Sequence, residues 1–138
     1  MAIDVTAALT EIVSAEKLTA WISAAGIGAT LAQLELMPLI DWQRAAPLKL
    51  RMLREIWQCF NRVRGDAAYR VVREFDEFVQ RGGHILRDHA RFEMLHAKQF
   101  GGDPARWHWH TWPAGLRDRN SNEVADCARH HMDDVNFH

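Results

Sequence analysis

The stretch Leu48-Lys49-Leu50-Arg51-Met52-Leu53-Arg54-Glu55-Ile56-Trp57-Gln58-Cys59-Phe60-Asn61-Arg62-Val63-Arg64 decides the fold class. Leu53, Ile56, Trp57, Phe60 and Val63 recur at spacings of three and four, which a helix gathers onto one face. Arg51, Arg54, Arg62 and Arg64 fall mainly on the other side. Pro47 suits a first helical turn, where its missing N–H has no partner to lose, and Gly65 is a stop. No segment of the chain alternates as a half-buried strand does.

The same signals recur outward from this helix. Toward the N-terminus, Ser14 is a candidate cap for a helix from Ala15 to Ala25, with Leu18, Trp21 and Ile22 on one face and Gly26 as its stop. Thr30 is placed to cap a short helix carrying Leu31, Leu34 and Leu36, ended by Pro38, and Asp41 to cap a turn containing Trp42. Asp4 to Val13 is weakly patterned. Toward the C-terminus, Asp66 is the expected cap of a helix reaching about Arg81, striped by Tyr69, Val72, Phe75, Phe78 and Val79. Gly82-Gly83 should break it. A further helix is expected from about His84 to Phe100, with Ile85, Leu86, Phe92, Leu95 and Phe100 inward, and Gly101-Gly102 ends it. Asn120 and Glu123 have capping-box spacing for a last helix, with Val124, Cys127, Ala128, His131, Met132 and Val135 on one face. The architecture that follows is all-α, about six helices joined by short Gly- and Pro-marked loops. The last helix is still running at His138, so this chain is expected to be a piece of a longer protein.

Composition narrows the function. The chain has 138 residues, 48% hydrophobic, a usual size for one domain and enough to build a core. With 17 basic and 18 acidic residues, nothing favours nucleic acid or a membrane surface electrostatically. No apolar run is long enough to cross a bilayer, and the N-terminus lacks the regions of a signal peptide. Cys59 and Cys127 lie far apart inside helical patterns, so two buried free thiols are expected rather than a disulfide. A cytoplasmic location fits both observations.

One stretch interrupts the helices: Arg106-Trp107-His108-Trp109-His110-Thr111-Trp112-Pro113-Ala114-Gly115-Leu116-Arg117-Asp118-Arg119. Three of the six tryptophans fall within six residues here, following Asp103-Pro104, which reads as a cap and first turn. An indole removes much apolar surface from water when it packs, so this is an ordered loop. Indoles also offer flat faces to sugar C–H groups, with His, Arg and Thr nearby as donors. Packing between helices is the favoured reading of the loop.

Other chemistry is thinly represented. His108 and His110 form a His-x-His pair, Glu93 and His96 a Glu-x-x-His unit, and Asp126 and His130 are four apart. A di-iron bundle needs two Glu-x-x-His units and two more glutamates, and the cysteines have no zinc-finger spacing. Structural histidines are the favoured account, and no metal ligands are assigned. There is no Gly-x-Ser-x-Gly turn and no phosphate loop. Glu74-Phe75-Asp76-Glu77 and Asp133-Asp134 read as solvated helix faces.

Several short blocks carry a resemblance. They are Ile40-Asp41-Trp42 with Ala45-Ala46-Pro47-Leu48-Lys49-Leu50 and Leu53, Phe92-Glu93-Met94-Leu95-His96-Ala97-Lys98-Gln99, Arg106-Trp107-His108-Trp109 through Trp112-Pro113, Glu123-Val124, and Asp133-Asp134-Val135-Asn136-Phe137-His138. In order and spacing these resemble the amylomaltases, the 4-α-glucanotransferases or disproportionating enzymes of glycoside hydrolase family 77. Ile3-Asp4-Val5 resembles the family's entry into the region, residues 41–138 match best, and Gly26 to Met37 matches weakly.

The resemblance implies a (β/α)₈-barrel enzyme with an all-helical inserted subdomain, to which residues 1–138 correspond as a single subdomain with N-terminal helices in 1–40. It implies cofactor-free retaining chemistry on α-1,4-glucans: a carboxylate nucleophile forms a glycosyl-enzyme, and another maltodextrin takes the place of water as acceptor. The partners implied are maltodextrins and the remainder of the barrel. The family's catalytic carboxylates match no residue here, so no catalytic residue is assigned and the segment alone is expected to be inactive. Family members often carry tyrosine where Trp42 stands, and an aromatic there can meet glucan outside the cleft. Trp42 is therefore the candidate substrate-binding residue, with packing under the following helix as the other reading. The alternative to the whole assignment is a stand-alone helical binding or interaction module without catalysis.

Overall fold

In the computed structural model, which describes residues 12–24 and 26–138, every regular element is helical and no strand occurs among the described residues. The elements are α1 (Ala15–Ala24), α2 (Ile27–Glu35), α3 (Trp42–Val63), α4 (Arg70–Phe100), three single 3₁₀ turns, α5 (Asn122–His130) and α6 (Met132–Phe137). The Ile3-Asp4-Val5 match, Ala25 and the side chains of Leu18 and Ile22 lie outside the described residues. The chain divides into two compact units, Met1–Phe75 and Asp76–His138.

In the first unit, Ser14 caps α1 as expected, its Oγ accepting from the Lys17 N–H at 3.4 Å. The cap of α2 is Gly26 in the left-handed region (φ 66°), not Thr30, which lies inside the helix. A glycine turns the chain there at little cost, so the helix starts a turn earlier than a hydroxyl cap would place it. Asp41 caps α3, accepting from the Arg44 N–H at 3.2 Å, and Arg44 donates to Gln33 Oε1 at 3.0 Å, tying α2 to α3. The helix therefore begins at Trp42 and runs through Pro47, one turn longer at its N-terminus than the proline suggests. Proline removes one backbone bond there, because Pro47 is the sixth residue of the helix and lies past the first turn, whose N–H groups lack intrahelical partners.

The apolar stripe of α3 is buried at Leu48, Trp57 and Phe60. Trp57 stacks on Phe60 at 5.5 Å, and Phe75 packs on both, at 5.9 and 5.0 Å between ring centres. The Arg64 guanidinium lies over Trp57 and Phe75 at 5.4 and 5.5 Å, where the negative ring faces attract it. Asp66 does not cap α4. Its Oδ1 accepts from the Ala68 N–H at 2.9 Å, closing a turn, and Arg73 donates to the Ala67 and Ala68 carbonyls. The helix starts at Arg70 because those groups are already engaged.

α4 is bent at Gly83, whose φ of 54° and ψ of −137° belong to no helix. A glycine break was expected here, and it is the second glycine that makes it. After the bend, Ala90, Met94 and Leu95 face a core completed by Trp112, Val124, Ala128 and Val135. Ile85 points outward instead (70% exposed), and Phe78 and Val79 are exposed as well. The spacing places all three inward, and the structure leaves them at the surface. The Lys98–Asp134 ion pair at 3.3 Å ties α4 to α6, so Asp134 is a tether and not part of a solvated face.

The cap of α5 is Ser121, one residue later than Asn120. Its Oγ accepts from the Val124 N–H at 3.1 Å and donates to the Gly115 carbonyl at 2.5 Å. The last helix is interrupted at His131 (φ −123°, ψ 37°), which leaves Met132 on the surface while Val135 is buried. Cys59 and Cys127 are free thiols, half-buried and not fully so.

Candidate functional site at the tryptophan loop

The loop between α4 and α5 is an ordered series of turns. Asp103 caps the first, accepting from the Ala105 N–H at 3.0 Å, and Pro104 sets the φ that this turn needs. The second turn, Trp109–Thr111, is closed by the Thr111 N–H and hydroxyl, both donating to the His108 carbonyl, at 2.9 and 2.8 Å. The third, Ala114–Leu116, packs against α5. A Cβ on Gly115 would stand 2.8 Å from the Glu123 carboxyl, so glycine permits the close approach.

The three tryptophans do different things. Trp112 is the anchor: it is 2% exposed, stacks on Phe92 at 5.5 Å, and donates from its indole N–H to the Arg106 carbonyl at 3.1 Å. Arg117 Nε in turn donates to the Trp112 carbonyl at 2.6 Å. Trp107 meets His96 and Phe100 edge-on, at 4.8 and 5.3 Å. Its carbonyl lies 3.2 Å from His96 Nε2, and since a carbonyl only accepts, Nε2 carries the proton in that bond. Trp109 is 43% exposed and has His110 stacked on one face at 3.7 Å.

Beside the loop lies a hollow of about 280 Å³, open to solvent on one side. Its floor is apolar: Phe92, Leu95, Trp112, Leu116 and Val124. Trp109 forms a wall, and Asp88, Arg91, Arg117 and Arg119 form the rim. Asp88 sits between Arg91 and Arg119, at 3.7 and 3.6 Å. The hollow was invisible in the sequence, because four α4 residues, Asp88, Arg91, Phe92 and Leu95, line it together with loop and α5 residues that only the fold brings to them.

The histidine motifs do not assemble. Among the described residues, no three His, Cys, Asp or Glu side chains stand close enough to hold a metal ion. His96 of the Glu-x-x-His unit is engaged with Trp107, and His110 with Trp109. Asp126 pairs with Arg129, while His130 Nδ1 approaches only the Asp126 backbone carbonyl, at 2.8 Å.

Trp42, on the first unit, opens α3 and is 68% exposed, so it is not packed beneath that helix. It follows an exposed apolar run of Leu36, Met37, Leu39 and Ile40.

The family model for 4-α-glucanotransferases of glycoside hydrolase family 77 matches residues 2–138, nearly the whole chain. The chain belongs to this family. Every block named above, from Ile40-Asp41-Trp42 to the terminal Asn136-Phe137-His138, lies within the match. In this glycoside hydrolase family 77 chain the tryptophan loop is thus the connection between two helices of an all-α segment. No helix among the described residues is long and apolar enough to cross a membrane.

Proposed function

We propose that this chain is the helical subdomain of a 4-α-glucanotransferase that moves α-1,4-glucan segments between maltodextrins through a covalent glycosyl-enzyme. The observation that carries the proposal is the family match over residues 2–138. Retaining chemistry needs two carboxyl groups about 5–5.5 Å apart, flanking the scissile bond. The hollow by the tryptophan loop has one carboxylate on its rim, Asp88, and that one lies between two arginines. This supports a role in shape and substrate contact for the segment, with the reacting carboxylates supplied by the rest of the enzyme. Trp42, with its indole open to solvent at a helix start, suits a contact to glucan away from the reacting bond.

The test is to incubate residues 1–138, and separately the complete enzyme containing them, with maltotriose. The complete enzyme is expected to release glucose and longer maltodextrins, and the segment alone neither. Turnover by the segment alone would overturn its assignment as a non-catalytic part.

A further inference from the structure

We propose that the hollow beside the tryptophan loop is a subsite for one glucosyl ring of an α-1,4-glucan, with Trp109 as its stacking face and Asp88, Arg91 and Arg119 as its hydrogen-bonding rim. The inference rests on the substrate class proposed above and adds a second place, on the other unit from Trp42, where that substrate is held.

Trp109 supplies the first argument. The core of this unit is closed by Trp112 without it, yet Trp109 stands 43% exposed at the wall of the hollow. His110 stacks on the ring at 3.7 Å and holds its orientation, while Trp109 lines the hollow. The negative face of an indole attracts the C–H groups on the flat side of a pyranose.

The rim supplies the second. The Asp88 contacts to Arg91 and Arg119, at 3.7 and 3.6 Å, are longer than well-formed N–H···O bonds. The carboxylate and both guanidinium groups therefore keep capacity for a ligand: Asp88 accepts from hydroxyl hydrogens, and the arginines donate to hydroxyl oxygens. Neighbouring sugar hydroxyls offer donors and acceptors together. The rim sets three arginines against Asp88, so an anion is the competing ligand, which the phosphate control below separates; an apolar group would desolvate these charges without bonding them.

Size and floor supply the third. A hollow of about 280 Å³ lies just under the usual range for small-molecule sites, which is room for a ring and not for a folded segment. Its floor includes Leu95, Trp112 and Val124, all buried in the core of the unit, so the site is preformed on rigid elements.

Oxidative footprinting of tryptophans, read by mass spectrometry on the complete enzyme, tests the assignment. With maltoheptaose at ten times its Kd, oxidation of Trp109 is expected to slow about tenfold, as the unliganded fraction falls. Trp112 serves as the buried reference. Asp88→Asn and Arg119→Ala are each expected to remove the protection while Trp112 stays shielded; should either fail to fold, the unsubstituted enzyme decides alone. Unchanged Trp109 oxidation at saturating maltoheptaose overturns the proposal, and so does equal protection by inorganic phosphate. If Trp109 is unprotected while maltotriose is still disproportionated, the subsite falls and the transferase reading stands. If Trp109 is protected but no disproportionation occurs, the transferase reading falls and the subsite stands.

Discussion

The indole N–H of Trp112 donates to the carbonyl of Arg106, 3.1 Å away and six residues earlier. This bond pins the outer part of the loop to the ring that closes the core. Replacing Trp112 by alanine is expected to cost about 3–5 kcal/mol of unfolding free energy, from lost burial and the cavity left behind. Trp112→Phe keeps most of the ring contact with Phe92 but leaves the part-buried carbonyl unpaired, at about 1–3 kcal/mol. Urea denaturation of the two variants separates the packing and hydrogen-bonding contributions.

The Gly83 bend gives a second prediction. At φ 54° and ψ −137° a side chain is strained even though a Cβ would meet nothing within 4 Å. Gly83→Ala is expected to destabilise by about 1–3 kcal/mol, although alanine normally stabilises a helix. Thermal melting followed by circular dichroism checks the sign; a stabilised variant would show that the bend is not held.

Ser121 and Asn120 form a matched pair. Ser121→Ala removes the cap on the Val124 N–H and the bond to the Gly115 carbonyl, at about 1–2 kcal/mol. Asn120→Ala, on an exposed residue whose side chain caps nothing, is expected to stay within about 0.5 kcal/mol. Chemical denaturation of both would show which residue starts the helix, and equal losses would contradict the structure.

Trp42→Ala should leave the melting temperature nearly unchanged, because the side chain is 68% exposed and surface changes are worth about 0.5 kcal/mol or less. In the complete enzyme the same substitution is expected to weaken long maltodextrins more than maltotriose, read by calorimetric titration. Equal affinities in the substituted and unsubstituted enzymes would remove Trp42 from the glucan path.

Much of the helix pattern was legible in the sequence for local reasons. Ser14, Gly83, Gly101-Gly102 and the Asp103-Pro104 turn act through their own local preferences, which neighbouring residues do little to alter. Caps differ from the local signals at three helices: Gly26 replaces Thr30, Asp66 closes a turn ahead of its helix, and Ser121 replaces Asn120. Ser121 prevails over Asn120 because only Ser121 also reaches the Gly115 carbonyl, a contact made by the folded loop.

By itself, then, the sequence determined that the chain is all-helical, where most helices stop, and to which family it belongs, since those depend on residue type, period and the order of short blocks. Tertiary structure alone decided the roles of Trp107, Trp109 and Trp112. The three are nearly equivalent in composition and local spacing. Burial is a property of which ring faces the α4–α5 core, and only Trp112 does so. The same geometry brings Asp88, Arg91 and Phe92 to the hollow beside Trp109, although that indole lies some twenty residues further along the chain.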